Sequence, residues 1–183
     1  MHRLKELTAK IAARAKGFTL IETLVAVLLL TTSIAGPLAL ASKGLSAALI
    51  ARDQMVAFYL AQDAVEYVRF VRDSNKLAGS AWLTNLGACT GASGCTIDPS
   101  AGTVSACSGT CPLINKYSPS AGVAYFSYTM GNVTPQQFIR TVTLAPPSTG
   151  ELTEEVLTVL VSWRAQSGVT RTISVRENIF DWQ

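Results

Sequence analysis

Twenty consecutive residues, Thr23 to Ser42, carry no charge, and no other feature constrains the chain as strongly. About 20 apolar residues in a helix suffice to cross the roughly 30 Å hydrocarbon core of a bilayer. A buried core helix usually shows a polar stripe, which makes it the poorer reading. The run is therefore expected to enter a membrane. The rest of the 183 residues suffice for one compact domain but not for two full ones.

The net charge of +3 is not spread evenly. Residues 1–17 hold Arg3, Lys5, Lys10, Arg14 and Lys16 against Glu6, a balance of +4, and everything after them sums to −1. Positive flanks stay on the cytoplasmic side, so the bulk of the chain is expected outside it. A nucleic-acid footprint would need Lys and Arg clustered on the folded domain, so no nucleic-acid partner is indicated.

Two readings of this N-terminus compete. An ordinary signal peptide has a basic start, an apolar stretch and a small-residue cleavage site. Ala39-Leu40-Ala41 before Ser42 offers such a site, with Pro37 just upstream. Against it, the apolar run from Phe18 to Ala35 exceeds the usual h-region of about 7–15 residues. It also holds Glu22, although an acidic group costs about 2.5–3.5 kcal/mol at a membrane helix centre and less near an end. Finally, the helical pattern continues well past Ser42.

The stretch Ala15-Lys16-Gly17-Phe18-Thr19-Leu20-Ile21-Glu22-Thr23-Leu24-Val25 resembles the class III signal of type IV prepilins and of the pseudopilins of type II secretion. The resemblance implies that residues 1–17 are a leader removed by a prepilin peptidase after Gly17. The same enzyme would N-methylate the new N-terminus, Phe18. It further implies that Glu22 meets the Phe18 amine of a neighbouring subunit, or of its own chain, during filament assembly. Helical spacing brings residues 18 and 22 to one face, which leaves the intrachain pair open. Glycine before the cut lets the scissile bond enter a protease in extended form. Gly36-Pro37 predicts a helix kink, because proline removes a backbone donor and clashes with the preceding turn. The implied partners are the peptidase/N-methyltransferase and other pilin or pseudopilin subunits, with no cofactor. The implied location is the bacterial inner membrane, with the head outside the cytoplasm, and then a surface pilus or periplasmic pseudopilus.

Residues 18–42 thus read as the membrane or filament-core helix and 43–75 as its amphipathic continuation. Val56, Leu60, Ala64, Val68 and Val71 recur at helical spacing, with Tyr59, Tyr67 and Phe70 widening the face. Arg52, Asp53, Asp63, Glu66, Arg69, Arg72 and Asp73 fall on the polar side, where Glu66–Arg69 and Arg69–Asp73 are at pairing distance. The helix is expected to end near Ser74. Residues 120–183 read as antiparallel sheet: Val123 to Met130, then Phe138 to Leu144 with Phe138, Arg140, Val142 and Leu144 on one side. Val156 to Trp163 and Val169 to Asn178 follow, the latter with Val169, Arg171, Ile173 and Val175 together. A hairpin loop is expected at 145–150. Helix, loop and antiparallel strands make an α+β class, and the order matches the pilin head.

Residues 76–119 show little periodicity and read as a loop region holding all four cysteines, Cys89, Cys95, Cys107 and Cys111. Neither spacing is a CxxC zinc knuckle, and exported chains oxidise cysteines. Disulfides are expected, and of the three connectivities Cys89–Cys95 with Cys107–Cys111 is preferred because both staple short polar loops. The usual pilin disulfide near the C-terminus has no counterpart here, since no cysteine follows Cys111.

An enzyme is not expected. The single histidine is His2, inside the leader, so a His-dependent triad on the exported domain lacks its base. Glu154 and Glu155 are adjacent and would point to opposite faces of a strand. The functional expectation is a structural pilin or pseudopilin subunit. The pattern Ala61-Gln62, Glu66 and Arg69 resembles minor subunits. The alternative is an exported or membrane-anchored binding module with an ordinary signal peptide cut after Ala41.

Overall fold

In the computed structural model, residues 17–147 and 153–181 are described, and the chain divides into two units, Met1–Ala48 and Leu49–Gln183. Each is treated by itself. One helix, α1 (Leu20–Leu77), supplies residues to both. In the first unit its large apolar side chains, from Leu20 to Leu45, are all exposed. Among the described residues it is the one helix long and apolar enough to cross a membrane. The hydroxyls of Thr23, Thr31, Thr32, Ser33 and Ser42 donate to carbonyls three or four residues back. These polar side chains are thereby satisfied within the helix and tolerate an apolar surrounding. The helix passes through Gly36 and Pro37 without a break.

In the second unit α1 buries one stripe: Asp53, Ala57, Leu60, Ala61, Ala64, Val65, Val68, Val71, Arg72 and Asn75. The expected Leu60, Ala64, Val68 and Val71 are in it. Tyr59 and Phe70 are not, at 62% and 65% exposed; the face is widened by Ala57, Ala61 and Val65 instead. Ala57, Ala61 and Ala64 are wholly buried, while the two rings lie off the covered stripe. Asp53 and Arg72, expected on the polar side, are buried, each tied to its charged neighbour, Arg52 and Asp73. Arg69 pairs with Glu177, over a hundred residues away, rather than with Glu66 or Asp73. The helix ends at Leu77, past the expected Ser74. Gly79, at φ +68°, turns the chain, while the Ser80 amide donates to Asn75 O and the Gly79 amide to Lys76 O. Glycine's freedom at positive φ makes this stop, in which two otherwise unpaired carbonyls are satisfied.

A 3-10 turn (Gly87–Thr90) precedes eight strands: β1 (Cys95–Asp98), β2 (Thr103–Ala106), β3 (Asn115–Tyr117), β4 (Tyr125–Ser127), β5 (Asn132–Val133), β6 (Ile139–Ala145), β7 (Glu154–Arg164) and β8 (Thr170–Phe180). They form an antiparallel five-stranded sheet, in the order β2-β1-β6-β7-β8, and a three-stranded one, β4-β3-β5. The architecture is α+β, a long N-terminal helix with a C-terminal antiparallel sheet. The expected β6 alternation holds: Phe138, Arg140, Val142 and Leu144 are buried. The strands depart from expectation at several places, β3 and β5 of the small sheet among them. The segment 123–130 contributes only β4, in the small sheet. And β1 and β2, both in the large sheet, lie where the sequence lacks periodicity. All four residues of β1 are buried, so it shows no alternation, and β2 is short and mostly exposed.

Arg140 is the largest side chain sealed in this core, at 0% exposure. Its Nη1 donates to Leu60 O (2.7 Å) and to Asp63 Oδ2 (2.9 Å), and its Nη2 donates to Ile97 O. Its Nε has no partner. The guanidinium carbon lies 5.9 Å from the centre of the Tyr128 ring, and the Tyr128 hydroxyl donates to Arg140 O. One side chain thus joins α1, β1 and β6. Asp63 is half exposed, so truncating Arg140 strands chiefly the Leu60 and Ile97 carbonyls, and a buried polar group left unsatisfied costs about 1–3 kcal/mol. We expect Arg140→Ala to lose about that much in urea unfolding of the full chain in detergent micelles, and Leu160→Ala, on the outer face of β7, far less.

Candidate processing junction and the head that follows it

Gly17, Phe18 and Thr19 lie outside the helix, immediately before Leu20. Among the described residues, a Cβ built on Gly17 would meet nothing within 4 Å. Phe18, the next residue, is 75% exposed. Gly36 is equally free of close neighbours.

Thr19 is the helix cap, a role the sequence reading missed. Its carbonyl accepts from the amides of Glu22 and Thr23, and its Oγ1 from the Glu22 amide at 3.3 Å. Thr19-Leu20-Ile21-Glu22 has the Thr-x-x-Glu spacing of a capping box, a signal that was present in the sequence. The Glu22 carboxylate also sits in the first turn, where the helix dipole favours a negative charge. Glu22 is exposed, and the ion pairs among the described residues do not include it.

Residues 12–36 match the family model for the prokaryotic N-terminal methylation motif. The segment is a type IV prepilin-like signal. The match takes in Gly17, Phe18, Thr19, Glu22 and Gly36 and stops one residue short of Pro37. No curated protein and no solved structure matches the chain. The prepilin-like signal is that of the type IV pilin and pseudopilin class, and it implies a prepilin peptidase and other pilins as partners.

The cysteines belong to the second unit and pair as Cys89–Cys95, with Cα atoms 4.6 Å apart, and Cys107–Cys111, at 4.9 Å. The first bridge ties the 3-10 turn to β1 within the core; the second closes the turn after β2. Among the described residues no cysteine is free and no acidic, histidine and cysteine cluster has metal-site geometry.

Asp98, at the end of β1, holds the two sheets together. Its Oδ1 accepts from the Ser100 hydroxyl (2.6 Å) and from the amides of Ser100 and Ala101; its Oδ2 accepts from the Ser127 hydroxyl and the Tyr128 amide, both at 2.7 Å. Burial works to raise the carboxyl's pKa, but these bonds from Ser100, Ser127, Tyr128 and Ala101 together hold it below the ordinary 3.8. Burial pushes Glu155 the other way, upward, and Tyr128 upward as well.

A lowered folded-state pKa contributes stability that is fully present above the unfolded value of 3.8 and is lost as pH falls through the lower folded value. Glu155, raised, has the opposite slope, which is common to the wild type and an Asp98 variant. Following unfolding of the full chain from about pH 6 to pH 2, we expect wild type to lose more stability than Asp98→Asn, so that the curves converge in acid. Parallel curves would show that Asp98 is not the group responsible.

Proposed function

We propose that this chain is a structural subunit, a pilin or pseudopilin, of a type IV pilus or a type II secretion-type filament. Prepilin peptidase cuts after Gly17 and N-methylates Phe18, and the freed helix carries the protein from the inner membrane into the filament. The match of residues 12–36 to the methylation motif carries this reading. Three further features support it: a bond after Gly17 that lies outside the helix, no close neighbour at Gly17 among the described residues, and an apolar N-terminal part of α1 that is unburied.

Glu22 is then the anion that meets the N-terminal ammonium of a neighbouring subunit. An ammonium and a carboxylate in an apolar filament core each need the other, because an unpaired charge there is strongly unfavourable. The same pairing gives the register in which one subunit joins the next. Major and minor roles are separable by the abundance of the protein in sheared filaments.

Two measurements test this. The intact mass of the mature protein should correspond to a chain beginning at Phe18 with one added methyl group. A chain beginning at Ser42 would sink the proposal and leave an exported binding module. Glu22→Gln, which keeps shape and removes charge, should still be processed but enter few filaments. Normal filament yield from this variant would remove Glu22 from the assembly step.

A further inference from the structure

Strand β8 ends the five-stranded sheet, so among the described residues no strand pairs with its outer edge from Thr170 to Ile179. Toward its C-terminal end, α1 and β8 are tied by Arg69–Glu177 and by Lys76–Asp181 (2.9 Å). Toward its N-terminal end the seam is not bridged. It opens into a groove of about 380 Å³, lined by Ala51, Gln54, Met55 and Phe58 of α1 and by Ile173 and Val175 of β8. Met55 and Phe58 are 59% and 51% exposed, large apolar side chains that the sheet does not reach. On β8 itself Arg171 and Arg176 are exposed, and among the described residues no ion pair or side-chain hydrogen bond engages either guanidinium. The nearest carboxylate on the strand, Glu177, is occupied by Arg69.

We infer that the open edge of β8 receives an extended, acidic segment of a partner polypeptide as a sixth strand. Its main chain pairs with the free edge, and every second side chain drops into the groove between helix and sheet. Those side chains are apolar. The alternate ones, on the outer face with Arg176, are carboxylates, and a further carboxylate meets Arg171 at the end of the groove. Arginines on an open edge discourage neutral or basic strands, and an acidic strand turns the same charges into attraction. A second β8 offers these arginines only one carboxylate, Glu177, which Arg69 already holds. The other open edge, Thr103-Val104-Ser105-Ala106, has no charge to offer.

The probe is an end-capped, fluorescein-labelled peptide of alternating Val and Glu, titrated into the full chain in detergent micelles and followed by anisotropy. Binding is expected, weaker by about tenfold or more for the Val-Lys peptide and for the Arg171→Glu/Arg176→Glu variant. N-methylation of alternate amides along the pairing edge should abolish it. No binding, binding indifferent to N-methylation, or equal binding of the Val-Glu and Val-Lys peptides overturns the inference. So does self-association of the chain through β8 that the Val-Glu peptide fails to displace. The peptide comparisons use the native chain, so they hold even where the double variant does not fold.

Discussion

A guanidinium enclosed between a helix and a sheet has to find its hydrogen-bond acceptors there, and in this head the acceptors come from three directions. Arg140 of β6 reaches the Leu60 carbonyl and the Asp63 carboxylate on α1 and the Ile97 carbonyl on β1. A charge in that position is tolerable only if it is paired, so helix, central strand and β1 can take up only positions that keep all three contacts. Apolar packing of Leu60, Ala64 and Val68 supplies much of the attraction but little direction, since one apolar contact resembles another. The buried ion does the registering. Asp98 has the complementary role at the end of β1, a carboxylate saturated by donors from its own turn and from the small sheet.

The N-terminal unit follows a different logic. Among the described residues nothing covers its apolar surface, and its hydroxyls bond back to their own helix. Thr19 caps the first residues of α1. The match of residues 12–36 to the methylation motif marks this segment as a prepilin-like signal, which implies a prepilin peptidase and other pilins as its partners.

The disulfides and the Arg140 cluster close the region around β1, whereas the β8 edge keeps free cations and uncovered apolar side chains. Stability and recognition are thus placed on different sides of one sheet.

Much of this was legible from local pattern. The uncharged run, the Gly17-Phe18 junction with its Glu22, the four-residue recurrence on α1 and the alternation of β6 are all short-range signals, written within a few turns or one strand. Thr19 was legible too, through its spacing to Glu22. Tertiary structure alone decided the rest. Which side of α1 is covered was decided by the rest of the head that packs on it: Ala57, Ala61 and Val65 are covered, Tyr59 and Phe70 are not, and Asp53 and Arg72 are buried. Arg69 had two carboxylates within reach along the helix and took Glu177 from the far end of the chain. Strands β1 and β2 could not be read because burial on both faces, or almost none, erases the alternation that marks a strand. Local periodicity says which face is apolar; only the neighbour that arrives from elsewhere in the chain says which residues it covers.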